Sequence, residues 1–270
     1  MSDEAPGMLT ATARIERNVS VQGIATHLFE AGPVDAPPLL YLHGMLLGNL
    51  WLAFHESLAQ NFHLYAPDMP GFGLTPRPDW MRDVSDYILY FRDLLDALEL
   101  KQPAIVGHSL GGWMAAEMAV WYPERVSKLV LANAAGIRVK GQPIADIFAM
   151  YPQELLAACF DNLVAAAPLI PPAINEDYLM SQYRQMTTLA ALAWNPSFDK
   201  KLERRLAWVR CPTLIVWGKN DRLIPAAYGE AFQRAIPNAE LETLEGTGHM
   251  PMFEQHEEWS RVIREFLTRP

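Results

Sequence analysis

Cysteine is almost absent from this sequence: Cys159 and Cys211 are the only two among 270 residues. That is too few for a disulfide framework, and Cys211 opens an apolar run in which a thiol behaves as a small hydrophobe. Positive charge is also scarce. Lys and Arg number 22 against 31 Asp and Glu, a formal charge of -9, and the one basic cluster, Lys200 to Arg205, is interrupted by Glu203. This balance argues against nucleic acid or an anionic membrane as a partner. The longest charge-free stretch, Ala36 to His55, has the length of a membrane span. Pro37, Pro38, His43, Gly44, Gly48 and Asn49 interrupt it, so it reads as strand, loop and helix. Met1 to Thr10 carries Asp3, Glu4 and Pro6 and lacks both a basic start and an apolar run. It does not read as a signal peptide, and the cytoplasm is the expected compartment. No internal repeat or low-complexity tract is present.

What the chain has in quantity is apolar side chains, half of its residues. They suffice for a large core, near the upper size of one compact domain, so one domain with an insertion is expected. Short apolar runs of strand length end in Gly or polar turns: Leu39 to Leu42, His63 to Ala66, Ala104 to Val106, Lys128 to Asn133 and Thr213 to Trp217. Helical periodicity fills the gaps. From Asp83 to Leu98, Val84, Tyr87, Ile88, Phe91, Leu94, Leu95 and Leu98 share one face, and Asp83 with Asp86 forms a capping-box pattern. A last helix from about His256 repeats the pattern through Trp259, Val262, Ile263, Phe266 and Leu267. Alternating apolar strands and helices predict an α/β fold with a mostly parallel central sheet flanked by helices. The alternation fails between about Gly136 and Arg205, a stretch rich in proline without a convincing strand. The expected organisation is therefore a core in two parts, 1–136 and 206–270, around an inserted helical cap at 137–205.

The sequence Gly107-His108-Ser109-Leu110-Gly111-Gly112 follows the apolar run Ala104-Ile105-Val106 and precedes a helical stretch from Trp113 to Tyr122. Strand, G-x-S-x-G turn and helix together make a nucleophile elbow. Small residues relieve the crowding of so tight a turn. The serine then stands at a helix N-terminus, where amides and the dipole favour developing negative charge.

With that motif in place, the chain resembles the α/β-hydrolase superfamily over nearly all of its length outside the insertion. In this superfamily the order is nucleophile, acid, histidine. Asp221, in Trp217-Gly218-Lys219-Asn220-Asp221-Arg222 after a strand-like run, takes the place of the acid. His249, in Gly246-Thr247-Gly248-His249-Met250-Pro251, takes the place of the base, with glycines on its approach. Some members draw the acid from the end of an earlier strand, but Leu131-Ala132-Asn133-Ala134 offers none. The resemblance of Tyr41-Leu42-His43-Gly44-Met45 to the His-Gly loop of the family implies an oxyanion hole formed by the backbone amides of Met45 and Leu110. His43 is assigned to bonding within that loop and His108 to packing beside the elbow. Asp68-Met69-Pro70-Gly71-Phe72-Gly73 also resembles a family loop and is assigned to structure rather than catalysis.

The expected activity is hydrolysis of a carboxylic ester through an acyl-enzyme on Ser109, without metal or organic cofactor. Leu46, Trp51, Phe148, Trp194 and Met250 are expected to line the substrate site, and the partner is a small-molecule ester of small to medium apolar type. Hydrolases that cleave carbon-carbon bonds of ring-fission products keep the same triad. They usually show Asn before the serine and Trp after the histidine, where this chain has His108 and Met250. Lactones, thioesters and a slow-turnover small-molecule receptor stay open as alternatives. So do monomer and homodimer. Dehalogenases and epoxide hydrolases carry Asp at the nucleophile position and are excluded.

Overall fold

The computed structural model describes residues 14–171, 173–194 and 196–270. The expectation about a leader at Met1 to Thr10 lies outside them. The first elements are β1 (Ile15–Val21) and β2 (Ile24–Ala31), paired antiparallel from Ile15 opposite Glu30 to Val21 opposite Ile24. Gln22 and Gly23 turn between them with φ of 52° and 81°, the pair of positive angles that matches the twist of a tight hairpin. Neither strand was among the expected runs. β1 is polar and mostly exposed, so no apolar stretch betrays it.

Six further strands complete the sheet: β3 (Pro38–Leu42), β4 (His63–Pro67), β5 (Ala104–His108), β6 (Leu129–Ala132), β7 (Thr213–Gly218) and β8 (Glu240–Leu244). The spatial order is β1-β2-β4-β3-β5-β6-β7-β8. β2 pairs antiparallel with β1 and β4, and every other pairing is parallel. The expected apolar runs each fall on a strand. β4 to β7 are buried along their whole length, which is why they read as unbroken apolar runs and not as alternations.

Helices flank the sheet. α1 (Ala53–Ala59) packs on the last helix, α9 (His256–Thr268), and α2 (Val84–Ala97) packs on α3 (Leu110–Trp121). α2 begins as its sequence predicts: the Asp83 carboxylate accepts the amides of Ser85 and Asp86, and Asp86 reaches back to the Asp83 amide. Its apolar face buries Tyr87, Ile88, Phe91, Leu94 and Leu95.

Between β6 and β7 the chain forms α4 (Pro152–Cys159), α5 (Glu176–Ala193), α6 (Leu202–Arg205) and 3-10 segments at Ile147–Ala149, Leu163–Leu169 and Leu206–Trp208. Among the described residues this stretch adds no strand to the sheet; one isolated bridge joins Gly136 to Phe198. After β7 come α7 (Ala227–Ala235), β8, α8 (Pro251–Glu254) and α9. Cys159 and Cys211 are both free, and burial pushes the Cys159 thiol up to about 12.

Candidate active site

Loops at the carboxyl ends of parallel strands are the usual place for a site in an open α/β sheet. Here Met45 lies just past β3, Ser109 directly after β5, Asn133 after β6, Asp221 after β7 and His249 after β8. Ser109 has φ 53° and ψ -114°, a strained conformation for a residue with a side chain. The strain is held by close packing. A Cβ at Gly107 would collide with the carbonyl oxygen of Gly111, and one at Gly111 with that of Leu42. The backbone of Ser109 is tied as well: its amide donates to Ala132 O, and its carbonyl accepts from Trp113 and Ala135.

The three side chains that the sequence singles out meet in space. His249 Nε2 is 2.9 Å from Ser109 Oγ, and His249 Nδ1 is 2.8 Å from Asp221 Oδ2. All three residues are buried. Asp221 Oδ1 accepts the amides of Leu223 and Ile224 at 2.9 and 2.8 Å. These donors fix one carboxylate oxygen, so that the other points at the ring. No described backbone or side-chain group accepts from the amides of Met45 or Leu110, and both residues adjoin Ser109 on the wall of one cavity.

Asn133 belongs to this network, although only the lack of an acid in its segment was read from the sequence. Its Nδ2 donates to Asp221 Oδ2 at 2.8 Å, and the residue is fully buried with φ 45°. The available signal is positional: a polar residue closing an apolar strand beside the strand that leads into Ser109. His43 bonds within its loop as expected, Nδ1 donating to Gly44 O at 2.7 Å while Nε2 accepts the Met69 amide at 2.9 Å. Burial lowers its pKa, so it stays neutral. His108 donates from Nε2 to the His249 carbonyl at 2.9 Å, and burial drives its pKa well down. Asp68 is buried and accepts the Leu74 amide at 2.7 Å and the His27 ring at 2.9 Å.

A cavity of about 440 Å³ opens at Ser109, lined by Met45, Trp113, Ile144, Phe148, Leu189, Trp194, Leu223 and Ile224 among others. Phe148 and Trp194 stack, ring centroids 5.5 Å apart. Three expected lining residues lie elsewhere. Trp51 stacks on His55 at 4.9 Å and donates to Glu56, turned away by that pairing. Leu46, with φ 66°, packs against the core. Met250 is buried at the start of α8; the turn that presents His249 directs the next side chain inward. Ile144, Leu223 and Ile224 went unforeseen because nothing in their local patterns marks them as cavity walls. The described residues hold no cluster of His, Cys, Asp and Glu suited to a metal ion. None of their helices is long and apolar enough to cross a membrane.

Comparison with known proteins agrees with this architecture. The chain is 27% identical to 2-hydroxy-6-oxo-2,4-heptadienoate hydrolase of Pseudomonas putida, over 97% of this chain and 99% of that protein. It is 26% identical to human monoacylglycerol lipase ABHD6, over 89% and 78% of the two. Among solved structures, a serine hydrolase involved in carbazole degradation, the CarC enzyme, superposes with a TM-score of 0.77 at 26% identity, covering 95% of this chain and 99% of that one. The family model for the alpha/beta hydrolase family matches residues 39–262, which include Ser109, Asp221 and His249, and the chain belongs to that family.

Proposed function

We propose that the protein is a serine hydrolase of carboxylic esters, with Ser109 as nucleophile, His249 as general base and Asp221 as the acid that orients it. The observation that carries this reading is the unbroken line of contacts that starts at Ser109 Oγ on the wall of an apolar cavity and runs through both nitrogens of His249 to Asp221. His249 takes the proton of Ser109 as the oxygen attacks the ester carbonyl. The amides of Met45 and Leu110 receive the oxyanion, and the imidazolium gives its proton to the leaving alcohol. Water activated by the same imidazole releases the acid. The inserted helices, which contribute Phe148, Leu189 and Trp194 to the cavity wall, serve as its cap.

The cavity also supports an ester over the dienoate substrates named for the bacterial relatives. A dienoate carries a carboxylate, whose burial needs a cation or several donors. The described lining contains no Lys or Arg, and its one charged member is Asp146. A neutral acyl or alcohol group of small to medium size suits such walls better.

Ser109→Ala is expected to lower turnover of p-nitrophenyl butyrate by more than about 10⁴-fold with the melting temperature preserved. Retained turnover in that variant removes the proposal. Assay of the wild type on a lactone, a thioester and a ring-fission dienoate beside the ester ranks the remaining chemistries.

A further inference from the structure

One carboxylate joins the histidine loop to the inserted helices. Glu254 Oε2 accepts the amide of Gly248, the residue before His249, at 2.6 Å. Its Oε1 accepts the amides of Asp161 and Asn162, just past α4, each at 2.7 Å. No described cation pairs with Glu254, and every hydrogen bond it accepts from described groups comes from the backbone of these two segments. The same two segments meet again at His249 itself, whose amide donates to Cys159 O at 2.7 Å. The acid loop is fastened to the same place: Arg222 donates to Ala157 O and Phe160 O at 3.0 and 2.6 Å, and Asn220 Nδ2 to Asp161 Oδ2 at 2.9 Å.

We infer that Glu254 is a positioning residue for His249: its two oxygens splint the histidine loop to the end of α4, so the insertion, and not the core alone, sets where the imidazole stands. The inference rests on reading His249 as the base. Three charge-assisted bonds to amides resist displacement of the loop, and a shift of about 1 Å in a reacting group costs about 10²-fold in rate. Substrate binding depends on the cavity walls, which Glu254 does not touch.

Glu254→Gln keeps size and one acceptor oxygen but turns an NH2 group toward an amide that has lost its acceptor. With p-nitrophenyl butyrate, kcat is expected to fall by about 10- to 100-fold and KM to stay within about two-fold. The same substitution made in a His249→Ala background should bring no further loss of the residual rate, because a residue that acts through His249 has nothing left to position. An equal loss in both backgrounds makes Glu254 a general scaffold residue and overturns the inference. So does an unchanged kcat in the single variant. If Glu254→Gln does not melt cooperatively, Glu254→Asp, too short to span both partners, is put through the same pair of measurements. Labelling of Ser109 by a fluorophosphonate separates the two readings. Wild-type protein that neither turns over nor takes the label overturns the esterase proposal and this one with it, whereas an active wild type with an indifferent Glu254 variant overturns this one alone.

Discussion

Asn133 and His27 show how single polar side chains set the behaviour of this molecule. Asn133 gives Asp221 a fourth donor, besides the His249 ring and the amides of Leu223 and Ile224. Asn133→Ala removes that bond without leaving the carboxylate bare, so kcat/KM for a simple ester should drop about ten-fold, the rate equivalent of one net hydrogen bond of ~1.4 kcal/mol. No change in steady-state kinetics contradicts a role for this contact.

His27 is buried, with Nδ1 2.9 Å from Asp68 and Nε2 3.1 Å from Glu16. The hydrogen bond to Asp68 outweighs burial and raises its pKa above 6.5. A pKa raised on folding adds stability that is complete below the unfolded value and fades as pH climbs through the folded one. Urea unfolding of wild type and His27→Gln should therefore show a stability gap that is widest near about pH 6 and narrower near about pH 9. A gap that grows with pH refutes the assignment.

At the scale of elements, α3, the helix that follows Ser109, is bound to α6 by charge. Glu117 on α3 is almost fully buried and meets Arg205 of α6 at 2.7 and 2.9 Å, while Arg205 also reaches Asp199 at 2.8 Å. Burial raises the pKa of Glu117, a sign that its charge depends on that partner. Arg205→Met removes the charged partner and leaves the carboxylate, among described groups, only the Trp121 indole donor, and should cost about 3 kcal/mol of unfolding free energy by chemical denaturation. Adding Glu117→Gln to it should restore part of the loss; a double variant as unstable as the sum of its parts would mean that the pair is not coupled.

The elements differ in how plainly they announce themselves. α2 carries both an apolar stripe and a capping box, so its limits are legible to within a residue. β4 to β7 are buried on both faces and read as apolar runs. β1 is exposed and polar, held by its ladder to β2 and by the Gln22-Gly23 turn, and a hairpin edge of that kind leaves little hydrophobic signature.

Taken whole, the molecule is a sheet whose strand ends meet beside helices that help to wall an apolar cavity. Trp194 stands at the end of α5 stacked on Phe148. If it contacts the acyl chain, Trp194→Ala should raise KM for p-nitrophenyl hexanoate by about five- to ten-fold, the worth of a few buried carbons, and disturb the acetate ester far less. Equal effects on both esters place the acyl chain elsewhere.

The alternation of β3 to β7 with helices, the tight turn at Ser109 and the positions of Asp221 and His249 after strand-like or glycine-rich stretches are legible in the chain itself, because periodicity, glycine spacing and strand-end position are local properties. Which residues wall the cavity, that Asn133 serves Asp221, and that Glu254 bridges the histidine loop to α4 were decided only by folding. Those contacts join residues as far apart as Asn133 and Asp221 or Asp161 and Glu254, and no local pattern encodes where two distant loops will touch.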